Sequence, residues 1–524
     1  MFKWFEKVRS TQYGEEETNM TKVDHIPIHK NLSKNKQVIQ KIVGNEPDLF
    51  MRKMELQIGD EHNNRLNILI LGIGGLIDEQ AIRLNVVEPL LSEPLHGGVQ
   101  IKEALKRRLS VKELFEETNL YACMMQLYKG STVILIDNCK TGLVINAQGS
   151  VERNIEEPST ETVVSGSKEG FVEELNTNIA LLRKRIAHPK LHFHTYIIGE
   201  YSQTEVAITY VKGIADPRVV ERIRKKMTEI KVDDISSSGQ IEQYLAEHPH
   251  SIFPTTGNTE RPDRLAAMLM EGRVALLIDG NPVVIYFPHL FIESFHSVED
   301  YSSKPYYTSF LRLLRFLSLL LSILLPSIYV SAVNIHKEMI PSQFLVALEE
   351  SREGVPFPLF LEMMTLLILF EIVREAGVRM PRAIGQAVSI VGALILGEVS
   401  VSAGLISSQT IIIVAISTIT TFIITPITEV VALLRIIYIL PSALFGFYGL
   451  MICILATITH VVNIKTMGVP YLGPVAPIHL RDWRDFVIRM PYKRLKYRPK
   501  SIPNLRPIRY RKVPSTPSKE DYIE

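Results

Sequence analysis

Three glutamates lie inside long apolar stretches of the sequence, where an ionised carboxylate is costly. Glu362 and Glu371 fall in residues 356–373 (PFPLFLEMMTLLILFEIV), and Glu398 falls in residues 383–406. A charged side chain at the centre of a bilayer costs at least about 2.5–3.5 kcal/mol unless it is paired or hydrated. These carboxylates therefore mark a candidate conducting or gating region. The alternative is that they are neutral, hydrogen-bonded groups that tie helices together.

Helical geometry separates the two glutamates of the first stretch. Glu362 and Glu371 are nine residues apart, which places them on opposite faces of a helix. They cannot share a metal ion on that helix, but each can meet a different neighbouring helix or a second copy of the chain. Arg374 lies three residues after Glu371, so these two side chains are expected to pair. The candidate pore or gating residues are Glu362, Glu371, Arg374 and Glu398.

The elements that carry these residues are five apolar stretches: residues 313–335, 356–373, 383–406, 409–431 and 436–464. The region from residue 313 to residue 464 contains only 7 Lys and Arg and 9 Asp and Glu among its 152 residues. A membrane-spanning helix needs about 20 consecutive apolar residues. The sequence therefore predicts a polytopic α-helical membrane domain over residues 301–464, with about four to six membrane segments.

The distribution of basic residues predicts the orientation of this domain. Arginines between residues 374 and 382, and the tail over residues 465–524 with 14 Lys and Arg against 5 Asp and Glu, belong on the cytoplasmic side. An even number of crossings is then required. Residues 436–464 form either a re-entrant hairpin kinked at Pro441, which we favour, or two crossings.

The two ends of the chain are polar. Residues 1–35 have no apolar periodicity and no signal peptide, which predicts a mobile N-terminal arm. The basic cytosolic tail, residues 465–524, is expected to contact anionic lipid or to be simply solvated. The formal net charge of +2 excludes a chain-wide basic binder of nucleic acid.

The region before the membrane domain alternates strand and helix patterns, which predicts an α/β or α+β cytosolic region. We divide it into a first subdomain, residues 36–125, and a second α/β subdomain, residues 126–300. Strands are predicted at residues 66–73, 132–137, 142–146, 194–198, 206–211, 274–278 and 283–286, and helices at residues 168–186, 217–230 and 261–271.

No residue pattern in this region matches a catalytic or metal site. The glycines of residues 72–77 (GIGGLI) lack the last glycine of a dinucleotide fingerprint. His188, His192 and His194 flank the start of a predicted strand and so do not fit a metal site on a helix, and three cysteines are too few for a disulfide framework. We therefore predict no enzymatic activity, no cofactor and no metal.

Several polar residues of this region are candidates for a structural or coupling role. Residues 259–264 (TERPDR) predict a helix N-terminus with Pro262 in its first turn and charges folded back on it. The full candidate set is Glu157, Glu161, Asn178, Glu260, Arg261 and Asp263.

Separated motifs extend from about residue 48 to residue 488 and form a recognisable set. They include residues 153–186, 253–263 (FPTTGNTERPD), 271–288 (EGRVALLIDGNPVVIYFP), 326–341 (PSIYVSAVNIHKEMIP) and 352–385. With these motifs the chain resembles the A subunit of the spore germination nutrient receptors, the GerA family of endospore-forming Bacillota. It departs from the family at Ser165 and Ser167, where members commonly carry Arg and Pro around the glycine.

The resemblance implies a cytosolic N-terminal domain and a membrane domain in the inner spore membrane. It also implies assembly with a transporter-like membrane subunit that binds the nutrient, and with a lipoprotein. Homo-oligomers, expected as pentamers, would form a nutrient-gated ion channel that releases monovalent cations to start germination. An ion-coupled secondary transporter and a membrane-anchored scaffold are the alternatives. We recognise no internal repeat that would favour the transporter.

Overall fold

The computed structural model describes residues 26–44, 46–58, 65–92, 101–111, 113–147, 149, 157–158, 160–163, 166–380 and 395–509. The chain divides into two compact units. The first, which we call the α/β unit, contains the described residues up to 245 together with residues 256–288 and 502–507. The second, the helical unit, contains residues 246–255, the described part of residues 289–501, and residues 508–509.

The α/β unit begins with α1 (Leu32–Val43) and the strands β1 (Leu49–Gln57) and β2 (Arg65–Ile73). Next come α2 (Glu79–Ile82), a π-helical turn (Arg83–Val87), α3 (Glu88–Leu91), α4 (Ile101–Arg108), β3 (Leu114–Glu117), α5 (Leu120–Leu127), β4 (Ser131–Ile136) and β5 (Gly142–Asn146). The remaining elements are α6 (Leu175–Arg185), β6 (Leu191–Ile198), β7 (Thr204–Val211), α7 (Pro217–Glu229), α8 (Ser238–Leu245), β8 (Gly257–Thr259), α9 (Pro262–Leu269), β9 (Val274–Ile278) and β10 (Asn281–Phe287).

Local sequence explains these elements. Helix α7 starts where the Asp216 carboxylate accepts the backbone N–H of Arg218, with Pro217 at the first helical position. It buries Val219, Val220, Ile223 and Met227, which recur at helical spacing. Strands β4 and β9 are buried along their whole length. For β4 the reason is that helices pack on both faces, α1 and α5 against Val133 and Leu135, and the helical segments from α2 to α4 against Ile134 and Ile136.

The strands form two five-stranded sheets, in the orders β1-β2-β4-β5-β3 and β6-β7-β9-β10-β8. Every strand pair in the two sheets is antiparallel, so the unit is α+β, one of the two classes that sequence predicted. The predicted strands at residues 132–137 and 142–146 exist, but their assignment to the second subdomain was wrong. They pair with β2 and β3 in the first sheet, because the chain turns back through hairpins before it reaches the second sheet. The first sheet therefore extends to Asn146, beyond the predicted boundary at residue 125.

The two sheets belong to an internal repeat that we did not recognise in the sequence. Both halves run helix, two strands, two helical segments, strand, helix, two strands, and both sheets have the same strand order. Corresponding glycines adopt positive φ, with Gly75 at 77° matching Gly213 at 82° and Gly130 at 90° matching Gly272 at 111°. The repeat escaped detection because few side chains are shared apart from these turns.

The repeat also explains Asn178. Its side chain accepts the N–H of Val172 at 2.8 Å and donates to the carbonyl of the same residue at 2.6 Å. Asn35 makes the same pair of bonds to His29, at 2.8 and 2.7 Å. In both halves a buried asparagine thus fixes the extended chain that enters the first helix, so Asn178 has a structural role.

Two predictions near helix starts need correction. Residues 26–35 were assigned to a mobile arm, but Ile28, Leu32 and Asn35 are buried against the first sheet. Residues 1–25 of that arm lie outside the described residues. The helix predicted over residues 168–186 begins only at Leu175, because the preceding segment is held in an extended form by Asn178.

The helical unit contains α10 (Pro305–Asn334), α11 (Ser342–Glu350), α12 (Leu359–Arg379), a π-helical turn (Ile395–Val399) followed by α13 (Ser400–Ser402), α14 (Ser408–Thr421) and α15 (Thr428–Asn463), with short strands β11 (Lys465–Thr466) and β12 (Val469–Pro470). Among the described residues, two helices are long and apolar enough to cross a membrane, Pro305–Asn334 and Thr425–Asn463. Most of the third predicted stretch, residues 383–394, lies outside the described residues.

Helix α15 is folded back on itself. Gly446, with φ 59° and ψ −140°, interrupts the helical backbone and separates arms over residues 428–445 and 447–463. The Tyr438 hydroxyl donates to Thr457 Oγ1 at 2.8 Å, although these residues would lie about 28 Å apart along a straight helix. The two arms are therefore antiparallel. The imidazole of His336 packs against Gly446 so closely that a Cβ at this position would clash with it.

The start of α10 is tied to the basic segment that follows α15. Arg312 is buried and contacts Asp300 and Asp485, each at 2.8 Å, and Arg315 contacts Asp300 at 2.9 Å. Arg489 is also buried and donates to the carbonyl of Ser303 at 2.7 Å. Part of the predicted tail is thus packed into the helical unit. Its residues 510–524 lie outside the described residues.

Candidate functional site

Glu362 lies near the start of α12 and is 1% exposed. One carboxylate oxygen accepts hydrogen bonds from Ser407 N, Ser407 Oγ and Thr410 Oγ1, at 3.2, 2.9 and 3.1 Å. The other oxygen lies 3.1 Å from Arg352 Nη2. Glu362 thus caps the N-terminus of α14 from another helix, where a negative charge is stabilised by the unpaired N–H groups and the helix dipole.

Glu371 lies two turns further along α12 and joins three helices. Its two oxygens lie 2.7 Å from Arg374 Nη2 and 2.7 Å from Arg435 Nη2 of α15. Arg435 is 1% exposed and also donates to Ser417 Oγ of α14 at 3.2 Å. We call Glu371, Arg374, Arg435 and Ser417 the Glu371 cluster.

The structure confirms the predicted pairing of Glu371 with Arg374. It also brings Glu362 and Glu371 to different neighbours, as their opposite helix faces require. The Glu371 cluster holds two guanidinium groups for one carboxylate, so it carries a net positive charge inside an apolar bundle. Such a charge is costly in a helix that serves only as an anchor.

Glu398 is exposed, in the π-helical turn that precedes α13. A π-helical turn inside a helix is uncommon and is frequently found at functional sites. Within the described residues, no hydrogen bond or ion pair links Glu362, Glu371 and Glu398 to one another, so the structure does not bring the predicted residues together into one site. It shows one buried carboxylate, Glu362, one partly buried carboxylate, Glu371, and one exposed carboxylate, Glu398.

The candidate coupling residues of the α/β unit converge on the N-terminus of α9. Arg261 is fully buried and donates to Asp263 Oδ2 at 2.8 Å and to the carbonyl of Ser167 at 2.9 Å. Glu161 accepts from Thr259 Oγ1 at 2.6 Å and pairs with Arg264.

The other two coupling candidates lie at the edges of this contact. Glu260 accepts from Thr160 Oγ1 at 2.8 Å, whereas Glu157 is exposed and bonds only loosely to Lys168 at 3.3 Å. These hydrogen bonds and ion pairs hold the loop before α6 against the N-terminus of α9, which fits a structural role.

Sequence reasoning missed several buried cations. Arg183 of α6 is fully buried and binds Glu46 at 2.9 Å and Asp48 at 2.8 Å. Both carboxylates lie more than 130 residues from Arg183 in the sequence, so no local spacing indicates these ion pairs. Arg435 carried one signal, because it is the only Lys or Arg between residues 383 and 464.

The described structure defines a class of protein. An α+β unit built from a repeat precedes a helical unit that contains two helices of membrane-spanning length and buries charged side chains between helices. These features fit a protein that associates with a membrane and holds charged groups within its helical bundle.

Comparison with known proteins gives the family. The family described as Bacillus/Clostridium GerA spore germination protein matches residues 37–501. The chain belongs to this GerA family, which confirms the resemblance seen in the sequence.

Individual relatives agree with this assignment. Spore germination protein KA of Bacillus subtilis (strain 168) is 37% identical over 478 residues, which cover 91% of this chain and 87% of that protein. Spore germination protein GerLA of Bacillus cereus is 34% identical, covering 91% of this chain and 96% of that protein. A solved structure, the N-terminal domain of the A subunit of the Bacillus megaterium spore germinant receptor GerK3, is 28% identical with a TM-score of 0.38, and covers 51% of this chain and 98% of that chain.

Proposed function

We propose that the chain is the membrane subunit of a nutrient-responsive germination receptor, and that copies of it assemble into an ion channel that releases monovalent cations. The Glu371 cluster carries this proposal. It places a carboxylate between two guanidinium groups at a junction of three helices, with Arg435 1% exposed. Charge at such a junction can be redistributed by a small movement of one helix, which is what a gate requires.

The helical unit supports a topology of six crossings. Helix α10, helix α12, helix α14 and the two arms of α15 each supply one. The sixth is the stretch predicted from the sequence over residues 383–406, most of which lies outside the described residues. Six crossings return the chain to the side from which it started, which satisfies the charge rule for the basic tail. The antiparallel arms of α15 favour the two-crossing alternative for residues 436–464 over the re-entrant hairpin that we preferred from the sequence. Under this proposal the α/β unit and the tail lie in the cytoplasm of the spore, beneath the inner membrane.

The remaining partners follow from the family. A transporter-like subunit binds the nutrient, and a lipoprotein completes the receptor. Binding of the nutrient to the transporter-like subunit shifts the equilibrium between closed and open forms of the present chain. This role requires no catalytic residue on the present chain. Exposed basic residues of the tail, including Lys493, Arg494 and Lys496, contact anionic lipid.

Potassium release from spores tests the proposal. Wild-type spores and spores lacking this chain are given a panel of nutrients, and extracellular potassium is followed. Loss of release to one nutrient, with release to the others intact, supports a nutrient-specific channel subunit. Unchanged release to every nutrient contradicts the proposal.

An ion-coupled transporter is the second candidate, because the break at Gly446 resembles the discontinuous helices of transporters. Particle size in detergent separates the candidates. A ring of several copies supports the channel, whereas a monomer favours a transporter or a scaffold.

A further inference from the structure

An exposed apolar loop lies in the segment that follows α15. We call residues 478–488 the 478–488 loop. Four of its apolar side chains face the surface, with Ile478 70%, Leu480 74%, Trp483 44% and Ile488 60% exposed. Single apolar residues on a surface are ordinary, but several in one short loop form a patch that indicates a contact with a membrane or a protein.

Hydrogen bonds hold this loop in a fixed conformation. The Asp482 carboxylate accepts from the backbone N–H groups of Lys500 and Ser501 at 2.9 and 2.7 Å. The rings of Trp483 and Phe486 stack with their centroids 5.4 Å apart. A loop that is bonded in this way keeps its apolar side chains on the outside of the helical unit.

The start of α10 fixes the level of the loop relative to the membrane. Arg489 N, just after the loop, donates to Ser309 Oγ at 3.0 Å. Arg312 Nη1 donates to the carbonyl of Phe486 at 3.1 Å. The chain therefore runs along α10 between Ser309 and Arg312, directly before the apolar stretch of residues 313–335 that is predicted to enter the membrane.

Aromatic side chains mark the same level of α10 as a membrane–water boundary. Tyr306, Tyr307 and Phe310 are all exposed there. Tyrosine and tryptophan are enriched at this boundary, because their rings combine an apolar body with a polar group. Trp483 stacks on Phe486, which is bonded to α10, so Trp483 extends this aromatic group beyond the helix.

The charge around the loop complements an anionic surface. Residues 471–509 contain ten Lys and Arg but only two acidic residues, both of which are bonded within the helical unit. Arg484, next to Trp483 in the loop, is exposed. Basic side chains beside exposed apolar and aromatic ones are typical of segments that lie in the interface of an anionic membrane.

We propose that the 478–488 loop inserts into the cytoplasmic leaflet of the membrane, with Ile478, Leu480 and Trp483 beneath the lipid headgroups. Interfacial segments of this kind are buried about 5–10 Å into the boundary between headgroups and acyl chains. Because the loop is bonded to α10, its insertion holds the start of that helix at the membrane surface. The inference rests on the proposed membrane topology and is independent of ion conduction.

Quenching of Trp483 fluorescence by brominated lipids tests the proposal. The sequence has two tryptophans, so Trp4→Phe leaves Trp483 as the only one. The full-length variant is reconstituted into vesicles of phosphatidylcholine and phosphatidylglycerol whose acyl chains carry bromine either near the headgroup or near the bilayer centre. We expect bromine near the headgroup to reduce the emission at least about twofold, and bromine at the bilayer centre to reduce it less.

Two other single-tryptophan chains calibrate the measurement, each carrying Trp4→Phe and Trp483→Phe. Leu317→Trp places the indole at an exposed position of α10 within the apolar stretch and should be quenched by brominated lipid. Tyr201→Trp places it in the α/β unit, where Tyr201 is exposed, and should be quenched by acrylamide from the water but not by lipid. Thermal unfolding shows that each variant is folded.

The results distinguish failure of the inference from failure of the topology. Trp483 that is quenched by acrylamide alone, while Leu317→Trp is quenched by lipid, would place the loop in water and overturn the inference but not the topology. Trp483 that neither lipid nor acrylamide reaches would assign the loop to a protein interface and also overturn the inference. Absence of lipid quenching at both positions would overturn the inference and the topology together.

Discussion

The buried guanidinium of Arg183 holds the two halves of the α/β unit together, and its removal should loosen that junction. Arg183 is fully buried between Tyr128 and Phe193, with its Cζ 4.9 and 4.7 Å from the two ring centroids. Through Glu46 and Asp48 it joins α6 of the second half to the segment that leads into β1 of the first. Arg183→Met keeps the length of the side chain but leaves both carboxylates without their main partner.

The expected loss follows from the burial of this network. Removing one member of a buried ion pair costs about 3–5 kcal/mol, because the remaining charge stays buried and uncompensated. That loss corresponds to an increase of roughly two to four orders of magnitude in the opening equilibrium of the surrounding structure. Hydrogen–deuterium exchange of the full chain in detergent, read on peptides from β6 and α6, measures it directly. Peptides from the helical unit serve as an internal reference.

Two further variants make the measurement decisive. Arg185→Met removes a half-exposed arginine of the same helix that pairs with Glu169, and exchange should then change by about fivefold at most. Combining Arg183→Met with Asp48→Asn should restore part of the protection, because one uncompensated charge is removed. Protection of β6 within about fivefold of the wild type in Arg183→Met would refute this account of the junction.

Three other predictions concern single residues. Burial lowers the pKa of His296 from 6.5 to about 4, so the free energy of unfolding of the helical unit should fall by up to about 1.4 kcal/mol per pH unit between about pH 6.5 and 4. His296→Asn should remove this pH dependence, as measured by urea titration. Gly446→Ala should lower the free energy of unfolding, measured by thermal unfolding, by about 1–3 kcal/mol, because Gly446 has a positive φ and lies close to His336. Gly397→Ala should change it little, because a Cβ at Gly397 would meet no atom within 4 Å. Burial raises the pKa of the Cys123 thiol to about 12, so Cys123 should react with N-ethylmaleimide at neutral pH at least about tenfold more slowly than Cys139. Unfolding that is independent of pH, equal costs for the two glycines, or equal labelling of the two thiols would each contradict the corresponding prediction.

Local patterns predicted the individual elements well. The strands Gly142–Asn146 and Val274–Ile278 were placed at their observed bounds, and α7 was placed to within one residue, because apolar runs and an Asp-Pro helix start are read from neighbouring residues. Residues 49–57 were missed as a strand. Their first half is only partly buried, so no alternation of apolar and polar residues marks it.

Long-range pairing was not predictable in the same way. The membership of β4 and β5 in the first sheet depends on hairpins that close over β2, which the local pattern does not specify. At the candidate site, the pairing of Glu371 with Arg374 followed from helix spacing. The contact with Arg435 did not, since it joins residues 64 apart in sequence.

The proposed gating role rests on the Glu371 cluster, so variants of Glu371 test it most directly. Glu371→Gln keeps the shape of the side chain and leaves Arg374 and Arg435 without their shared counter-charge. Glu375→Gln is the matched control on the same helix, because Glu375 and its ion-pair partner, Arg379, are both exposed. Glu371→Asp keeps the charge and should retain part of the function.

Nutrient-triggered potassium release from spores that carry each variant provides the test, with the amount of the protein in the spore membrane measured in parallel. We expect Glu371→Gln to slow release by about tenfold or more at a normal protein level, because the buried Arg435 and the partly buried Arg374 are left without a counter-charge. Glu375→Gln should behave like the wild type. Normal release in Glu371→Gln, at a normal protein level, would contradict the proposal that this cluster gates an ion pathway.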